Sequence, residues 1–424
     1  MPELDKAYEP KKYEDAIYKR WEDSGFFNPD NLKGKPYSIM MPPPNVTGVL
    51  HLGHALENAL MDTMARFQRL RGKKVLLLPG TDHAAVATQA KVEKMLAANG
   101  MKNPRAELGR EGLLAKIREY AEASKATILQ QIRKMGTSCD WSRLAYTFDE
   151  DRNRAVNTIF EKMYKDGLIY RGFRAVNWSV KGQSTLSDDE IVYEQRAGKL
   201  YTFKYSPDFP IIIATTRPET KLGDTAVAVN PKDERYKKYI GKVFDVDFVG
   251  QKLKLKVIAD EGVEMDFGTG ALGVTPAHSM VDYEMAMKNG LEIIRVIGED
   301  GKITKEGGKF AGQTTSAARE KIVEDLKNFG LFQKEEDIEQ NVGTSDRFGD
   351  VVEVLPKLQW FVAVGKPIPG RGKTLKELMK GSVGAGKKQV KIMPDRFANI
   401  YFQWIDNLRD WCISRQIWWG HRVP

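Results

Sequence analysis

Five histidines occur in 424 residues: His51, His54, His83, His278 and His421. Each lies within two residues of a Gly, Pro or Asp, and none falls in the middle of an amphipathic helical pattern. His51-Leu52-Gly53-His54 opens such a pattern directly after Pro42-Pro43-Pro44-Asn45-Val46-Thr47-Gly48. A helix N-terminus offers unpaired N–H groups and the positive end of the dipole. Two imidazoles one turn apart can donate to phosphate oxygens, and Gly53 leaves a flat surface for an adenine or ribose. That chemistry is anion and nucleotide binding, although an H-x-G-H word by itself also reads as two surface histidines at a helix start. Thr81-Asp82-His83 ends a strand-like run, on the edge where doubly wound sheets bind ligands. A carboxylate there can accept from a substrate ammonium, or it can cap the helix expected from about Ala84.

The elements that must position these residues follow from periodicity. Tyr37 to Met41 is a short apolar run, stopped by three prolines that hold the next residues extended. Leu52, Ala55, Leu56, Ala59, Leu60, Met64 and Phe67 recur at helical spacing up to about Arg71, where Gly72 ends the pattern. Val75 to Leu78 is a second strand, closed by Pro79 and Gly80. Strand, helix and strand at this length imply two parallel strands of one sheet. A long helix is expected from Leu108 to Met135, stopped by Gly136, and another around Ala155 to Met163. From about residue 199 the texture turns to β: 199–205, 211–215, 226–229, 242–249 and 253–258 are rich in Val, Ile, Thr and aromatics. Glu299-Asp300-Gly301-Lys302 reads as a hairpin turn. Helical texture returns after about residue 345, so the β-rich stretch looks inserted. Residues 365–390 repeat Gly and Lys and read as a connector.

Composition bounds the class. Apolar residues make up 42% and charged residues 29%, a globular balance. The length calls for two or more domains. No apolar run approaches the roughly 20 residues of a membrane span, and two cysteines, Cys139 and Cys412, build no disulfide framework. A reducing, cytoplasmic setting is the expectation. The net charge of +9 is consistent with a polyanionic partner without requiring one.

The words MPPPNVTGVLHLGHAL, LPGTDHAAVATQ, DWSR with FDED, ATTRPET, GTGALGVTPAH and ISRQIWWGH resemble the class I aminoacyl-tRNA synthetases, and within them the valyl-tRNA synthetase family. The matches run from residue 37 to 424. The resemblance implies an α/β fold: a Rossmann-like parallel sheet with an inserted β-rich editing domain. Its boundaries would be residues 1–190 for the first part of the catalytic domain, 191–345 for the insertion, and 346–424 for a connector and the start of the second part. It implies a valine-tRNA ligase using ATP and Mg²⁺, with valine and tRNA(Val) as partners, no membrane, and a monomeric state. His51, Gly53 and His54 match the family's HIGH signature, assigned to ATP and catalysis. Asp82 matches the position that takes the amino group, and Pro42, Pro43 and Asn45 match the rim of the amino-acid pocket. Trp404 and Trp411 resemble the segment closing that pocket, with Trp404 as a wall.

The insertion carries the second implied site. Thr215, Thr216 and Arg217, with Thr275, His278 and Asp282, match the editing domain, whose reaction is hydrolysis of a mischarged ester. Asp282 is expected to take the substrate ammonium, Thr216 and Arg217 the terminal adenosine and its phosphate, and Thr275 the side chain. Two sites are needed because a pocket shaped for valine rejects near-isosteric threonine by only about 10², a figure established on valine enzymes themselves. Three departures bear on these expectations. The editing word usually reads Gly-Ala-Leu-Lys-Val-Thr-Pro-Ala-His-Asp; here Gly273 and Ser279 replace the Lys and the Asp, so a cation and an anion are gone unless compensated. Asn341 to Asp350 lacks the cysteine pairs of some relatives, so no zinc is expected. The sequence given stops at Pro424 without a Lys-Met-Ser-Lys-Ser-like loop, which reads as a fragment. The alternatives are then an editing-only deacylase and a non-catalytic tRNA-binding remnant.

Overall fold

The computed structural model describes residues 7–387 and 389–424. They fall into two units, residues 7–162 with 417–424, and the rest, up to residue 416. In the first unit the order is α1 (Pro10–Asp23), β1 (Pro36–Met40), α2 (Leu52–Leu70), β2 (Lys74–Leu78), β3 (Gly80–Thr81), α3 (Ala85–Ala98), α4 (Pro104–Lys134), β4 (Ala145–Tyr146) and α5 (Glu150–Lys165). β1 and β2 pair in parallel, from Pro36 opposite Lys74 to Met40 opposite Leu78, so α2 is the crossover between them. Val75 and Leu77 of β2 are fully buried with Leu113, Ile117, Ile128 and Ile132 of α4. α4 begins on Asn103, whose side chain accepts from the Ala106 N–H, and Gly109 interrupts its helical geometry at φ 63°.

The apolar stripe of α2 departs from the usual outcome of such a pattern. Leu52, Leu56, Leu60, Met64, Phe67 and Leu70 are exposed, Leu52 to 89%, whereas Asn58, Ala65 and Gln68 face inward. Of the inward polar residues, Asn58 is satisfied locally, its amide donating to the His54 carbonyl at 3.3 Å, while Gln68 Oε1 is buried without a hydrogen-bond partner. The helical period is thus present, but no other described element of this unit covers its apolar side.

The second unit contains β5 (Ile169–Ser179), β6 (Ser184–Leu186), β7 (Ile191–Phe203), β8 (Ile213–Thr215), β9 (Ala226–Val229), β10 (Val243–Phe248), β11 (Gln251–Ala259), β12 (Ala271–Val274), α6 (Met280–Asn289), α7 (Thr315–Asn328), β13 (Phe332–Ser345), β14 (Val352–Val362), α8 (Leu375–Ser382), α9 (Arg396–Asn407) and β15 (Trp411–Cys412). Its sheets run β10-β11-β9-β12, β13-β7-β8 and β15-β14-β5-β6. β7 and β13 form a long antiparallel ribbon that begins with Ile191 opposite Ser345. Phe203, Tyr205, Phe248, Leu255 and Ile322 lie in the core beyond it. The 299–302 turn is present, with the Gly298 N–H donating to the Lys302 carbonyl at 2.7 Å. The Gly- and Lys-repeating stretch holds a short helix, α8, closed by a capping box between Thr374 and Glu377; Lys388 within it lies outside the described residues. Among the described residues no helix is long and apolar enough to cross a membrane.

Candidate functional site

In the first unit the two strand ends carry the candidate residues to one edge. Beyond β1 the chain continues extended, and Asn45 bridges Asp82 in parallel. The Val46 N–H donates to the Asp82 carbonyl at 2.9 Å, and the Asp82 N–H to the Pro44 carbonyl at 2.8 Å. Pro42, Pro43 and Asn45 are exposed there. The Asp82 side chain is 35% exposed. One carboxylate oxygen, Oδ1, accepts from the Ala84 N–H at 2.8 Å and from the Thr147 hydroxyl at 2.9 Å. That commits Oδ1 to the turn leading into α3, whose N-cap is Ala84 and has no side-chain cap, so Asp82 does not cap the helix; Oδ2 is the oxygen left to meet a ligand.

His51 and His54 form the N-terminus of α2. His51 Nδ1 accepts from the Gly53 N–H at 3.1 Å, and His54 Nδ1 accepts from the His51 N–H at 3.3 Å, a reciprocal capping box. The rings stand 4.0 Å apart between centroids. Because both Nδ1 atoms accept, the proton of each neutral imidazole is assigned to Nε2. The pair therefore presents two N–H donors at a helix N-terminus, which suits phosphate oxygens. Gly53 has a further role beyond flatness: a Cβ there would stand 2.9 Å from His51 Cε1 and 3.0 Å from Nδ1.

Behind Asp82, His83 stacks on Phe148 and meets His421 edge-on, both at 5.0 Å. Burial, first, and the nearby His421 push the His83 imidazole down to about 4, against the opposing Asp82 charge. It is neutral at pH 7. The Thr147 hydroxyl accepts from the His83 N–H at 2.9 Å and contacts Nδ1 at 2.6 Å, so one hydroxyl ties Asp82 and His83 together. Trp419 Nε1 donates to the His83 carbonyl at 3.1 Å. No sequence signal singled out Thr147; its position opposite the strand end is a product of β4 pairing with β3.

In the second unit the two candidate words also meet. Gly268 packs so closely on β8 that a Cβ would stand 2.9 Å from Ala214 Cβ. Thr215 Oγ1 accepts from the Arg217 N–H at 3.1 Å, and Thr216 beside it is half-buried. Arg217 is engaged by carboxylates: Nη2 donates to both Glu353 oxygens at 3.0 and 2.8 Å, and Nε to Glu219 at 3.1 Å. Glu219 is fully buried and receives Arg319 bidentately at 2.8 and 2.7 Å. This geometry ties the Arg217 guanidinium into a charge network within the fold.

His278 bridges backbone. Its Nε2 accepts from the Val296 and Ile297 N–H groups at 3.0 and 3.1 Å, and Nδ1 faces the Val354 carbonyl at 3.1 Å. Burial and then the Arg217 charge lower it to about 3. Both ring nitrogens are occupied by a structural task, so the ring is a neutral brace. Asp282 is buried; Oδ2 accepts from the Thr275 N–H at 2.8 Å and Oδ1 from the Ser279 hydroxyl at 3.0 Å. Ser279 is the N-cap of α6. Thr275, Lys221 and Asp224 pack together below it, a cluster the motif reading passed over except for Thr275. Trp404 lies on α9 in this unit and is exposed, and Trp411 pairs through β15 with Val362. Among the described residues no group of three or more His, Cys, Asp or Glu side chains is arranged to hold a metal.

The family model and the sequence relatives point to one family. A family model described as tRNA synthetases class I (I, L, M and V) matches residues 16–424. A valine–tRNA ligase of Clostridium acetobutylicum is 47% identical over 100% of this chain and 47% of its own length. One from Symbiobacterium thermophilum is 46% identical over 100% of this chain and 45% of its own length. The chain thus spans slightly less than half the length of these curated relatives. A leucine enzyme of Agrobacterium radiobacter K84, solved as a ternary complex, is 18% identical with a TM-score of 0.39, covering 82% of this chain and 49% of that one.

Proposed function

The chain belongs to the class I tRNA synthetases, and on that premise we propose that it activates valine with ATP, charges tRNA(Val), and hydrolyses mischarged threonyl-tRNA. The observation that carries the first activity is the juxtaposition at one sheet edge of a free Asp82 oxygen and Asn45, which the parallel bridge holds side by side. Oδ2 of Asp82 accepts from the valine ammonium, and the Asn45 segment with Pro42 and Pro43 borders the side chain. Nε2–H of His51 and His54 donate to the nucleotide phosphates. The valine carboxylate oxygen then bonds to the α-phosphorus as the bond to pyrophosphate breaks, and the two imidazole donors stabilise the charge that moves onto oxygen. Mg²⁺ arrives on the ATP phosphates, where it would neutralise charge on the pyrophosphate.

The second activity belongs to residues 191–345, read as an insertion between catalytic segments 1–190 and 346–424. The pairing of Ile191 with Ser345 supports that reading, because the insertion enters and leaves through adjacent residues of one ribbon. Thr215, Thr216 and Thr275 place the ester, Asp282 faces the substrate ammonium, and water attacks the ester carbonyl carbon. The C–O bond to the ribose breaks, releasing threonine. Arg217 acts here by fixing the loop through Glu219 and Glu353. The test is valine-dependent ATP–pyrophosphate exchange alongside hydrolysis of threonyl-tRNA. Exchange with valine in preference to leucine, and hydrolysis of threonyl- over valyl-tRNA, are expected; exchange indifferent to valine refutes the reading.

A further inference from the structure

Lys221 is buried on the 218–223 turn, and its ammonium has three partners. Nζ donates to the Gly273 carbonyl at 2.7 Å, to Thr275 Oγ1 at 2.8 Å and to Asp224 Oδ1 at 3.3 Å. Asp224, also buried, receives the Thr275 hydroxyl on the same oxygen and the Tyr205 hydroxyl on Oδ2. The Thr275 hydroxyl proton therefore points at Asp224 and its lone pair at Lys221, which fixes its rotamer. The same residue's N–H donates to Asp282 at 2.8 Å. Thr275 is thus the link between a buried cation and two buried carboxylates, one on each side. Gly273 leaves the room: a Cβ there would stand 2.4 Å from the Tyr205 hydroxyl and 2.5 Å from Asp224 Oδ2.

We propose that Lys221 is a positioning residue of the hydrolytic site: its ammonium holds the Thr275 hydroxyl against Asp224, and Thr275 in turn holds the Asp282 carboxylate through its N–H. The inference rests on the hydrolytic reading of this pocket and assigns it a residue that the motif words do not. Two carboxylates in one dry pocket cannot both stay charged without a cation. Thr275, from the segment after β12, and Ser279, at the head of α6, contact Asp282 directly; Lys221 and Asp224 from the turn, with Tyr205 from the segment after β7, join the same network through Thr275 and Asp224. Lys221 is the cation among them. Burial raises both acids, Asp224 to about 6, and Lys221 opposes the rise in each.

The experiment follows the Asp282 carboxyl carbon by NMR in the full chain labelled with carbon-13 aspartate, the signal identified by its loss in Asp282→Asn. Lys221→Met should raise the Asp282 midpoint by about one to two pH units, and Lys221→Arg should hold it near the wild-type value. The acid limb of threonyl-tRNA hydrolysis by Lys221→Met should move to higher pH by the same shift. An unmoved midpoint in Lys221→Met overturns the proposal. Should that variant fail to fold, Lys221→Gln decides: it keeps a donor towards the Gly273 carbonyl and Thr275 without the charge, so the midpoint rises, and an unmoved one overturns the proposal. A wild-type chain that hydrolyses no threonyl-tRNA would refute the hydrolytic reading, while the midpoints would still report on Lys221.

Discussion

Gly53 lies beneath the ring of His51: its N–H donates to Nδ1 at 3.1 Å, and a Cβ on it would stand 2.9 Å from Cε1. The glycine is thus tied to the direction in which His51 presents Nε2. Gly53→Ala adds helix propensity of about 1 kcal/mol and displaces the His51 cap, worth about as much, so thermal stability should change little. Affinity for a non-hydrolysable valyl-adenylate analogue should nonetheless fall about tenfold, the scale of one charge-assisted hydrogen bond. Calorimetric titration and a melting curve on the same variant separate the two effects. Unchanged affinity would mean that the His51 ring does not touch the ligand.

Arg217 makes a different kind of prediction. Its side chain is 31% exposed while Glu219 is fully buried and Glu353 nearly so. Arg217→Ala strands Glu353 and leaves Glu219 to Arg319 alone. Unfolding free energy should drop by about 2 kcal/mol, less than for a fully buried pair because solvent screens the exposed part. Denaturant titration reads this directly. A variant of native stability whose only defect is weaker tRNA binding would restore the role that the sequence suggested.

The buried histidines predict acid sensitivity. His83 titrates at about 4 and His278 at about 3, both below the ordinary 6.5 of an unfolded chain. Between those values the unfolded state binds more protons than the native state, so stability is fully present above 6.5 and is lost as pH falls towards 4 and then 3. Each ring contributes on the order of a few kcal/mol to that loss. Denaturation midpoints measured from pH 7 down to pH 4 should decline steadily, and His278→Gln, which cannot protonate, should flatten the decline. A profile flat across that range would contradict the neutral, braced state of both rings.

The outward stripe of α2 gives the fourth test. Leu56→Lys with Leu60→Lys should change stability by no more than about 0.5 kcal/mol, since both side chains are exposed. Ile128→Ala, in the α4 core, should cost about 2–5 kcal/mol. A large cost for the α2 pair would show that the stripe is covered in solution.

The parallel pairing of β1 and β2, and the bounds of α2, were legible because three prolines, Gly72 and two apolar runs punctuate the chain unambiguously. The direction in which α2 faces was not, because a period fixes which residues share a side and says nothing about what covers it. Asp82 was legible as a strand-end carboxylate, and its double use, one oxygen for the turn into α3 and one free, needed the position of Thr147. His278 and Arg217 were chosen by residue type within matching words, and type does not report that backbone N–H groups and two glutamates already occupy them. Lys221 escaped because a lysine reads as surface by default; only the room at Gly273 and the carboxylate at Asp224 reveal why it is inside.

Asp82 as the acceptor of the valine ammonium is the interaction on which valine activation depends most. Asp82→Asn keeps Oδ1, and with it the bonds to Ala84 and Thr147, while removing the charge. The decisive measurement is calorimetric binding of a non-hydrolysable valyl-adenylate analogue, and of AMP as reference, to wild type and to this variant. The account predicts that the wild type binds the analogue much more tightly than AMP, and that Asp82→Asn loses about tenfold or more of that affinity with its AMP affinity and melting temperature unchanged. Equal affinity of the two proteins for the analogue would contradict it.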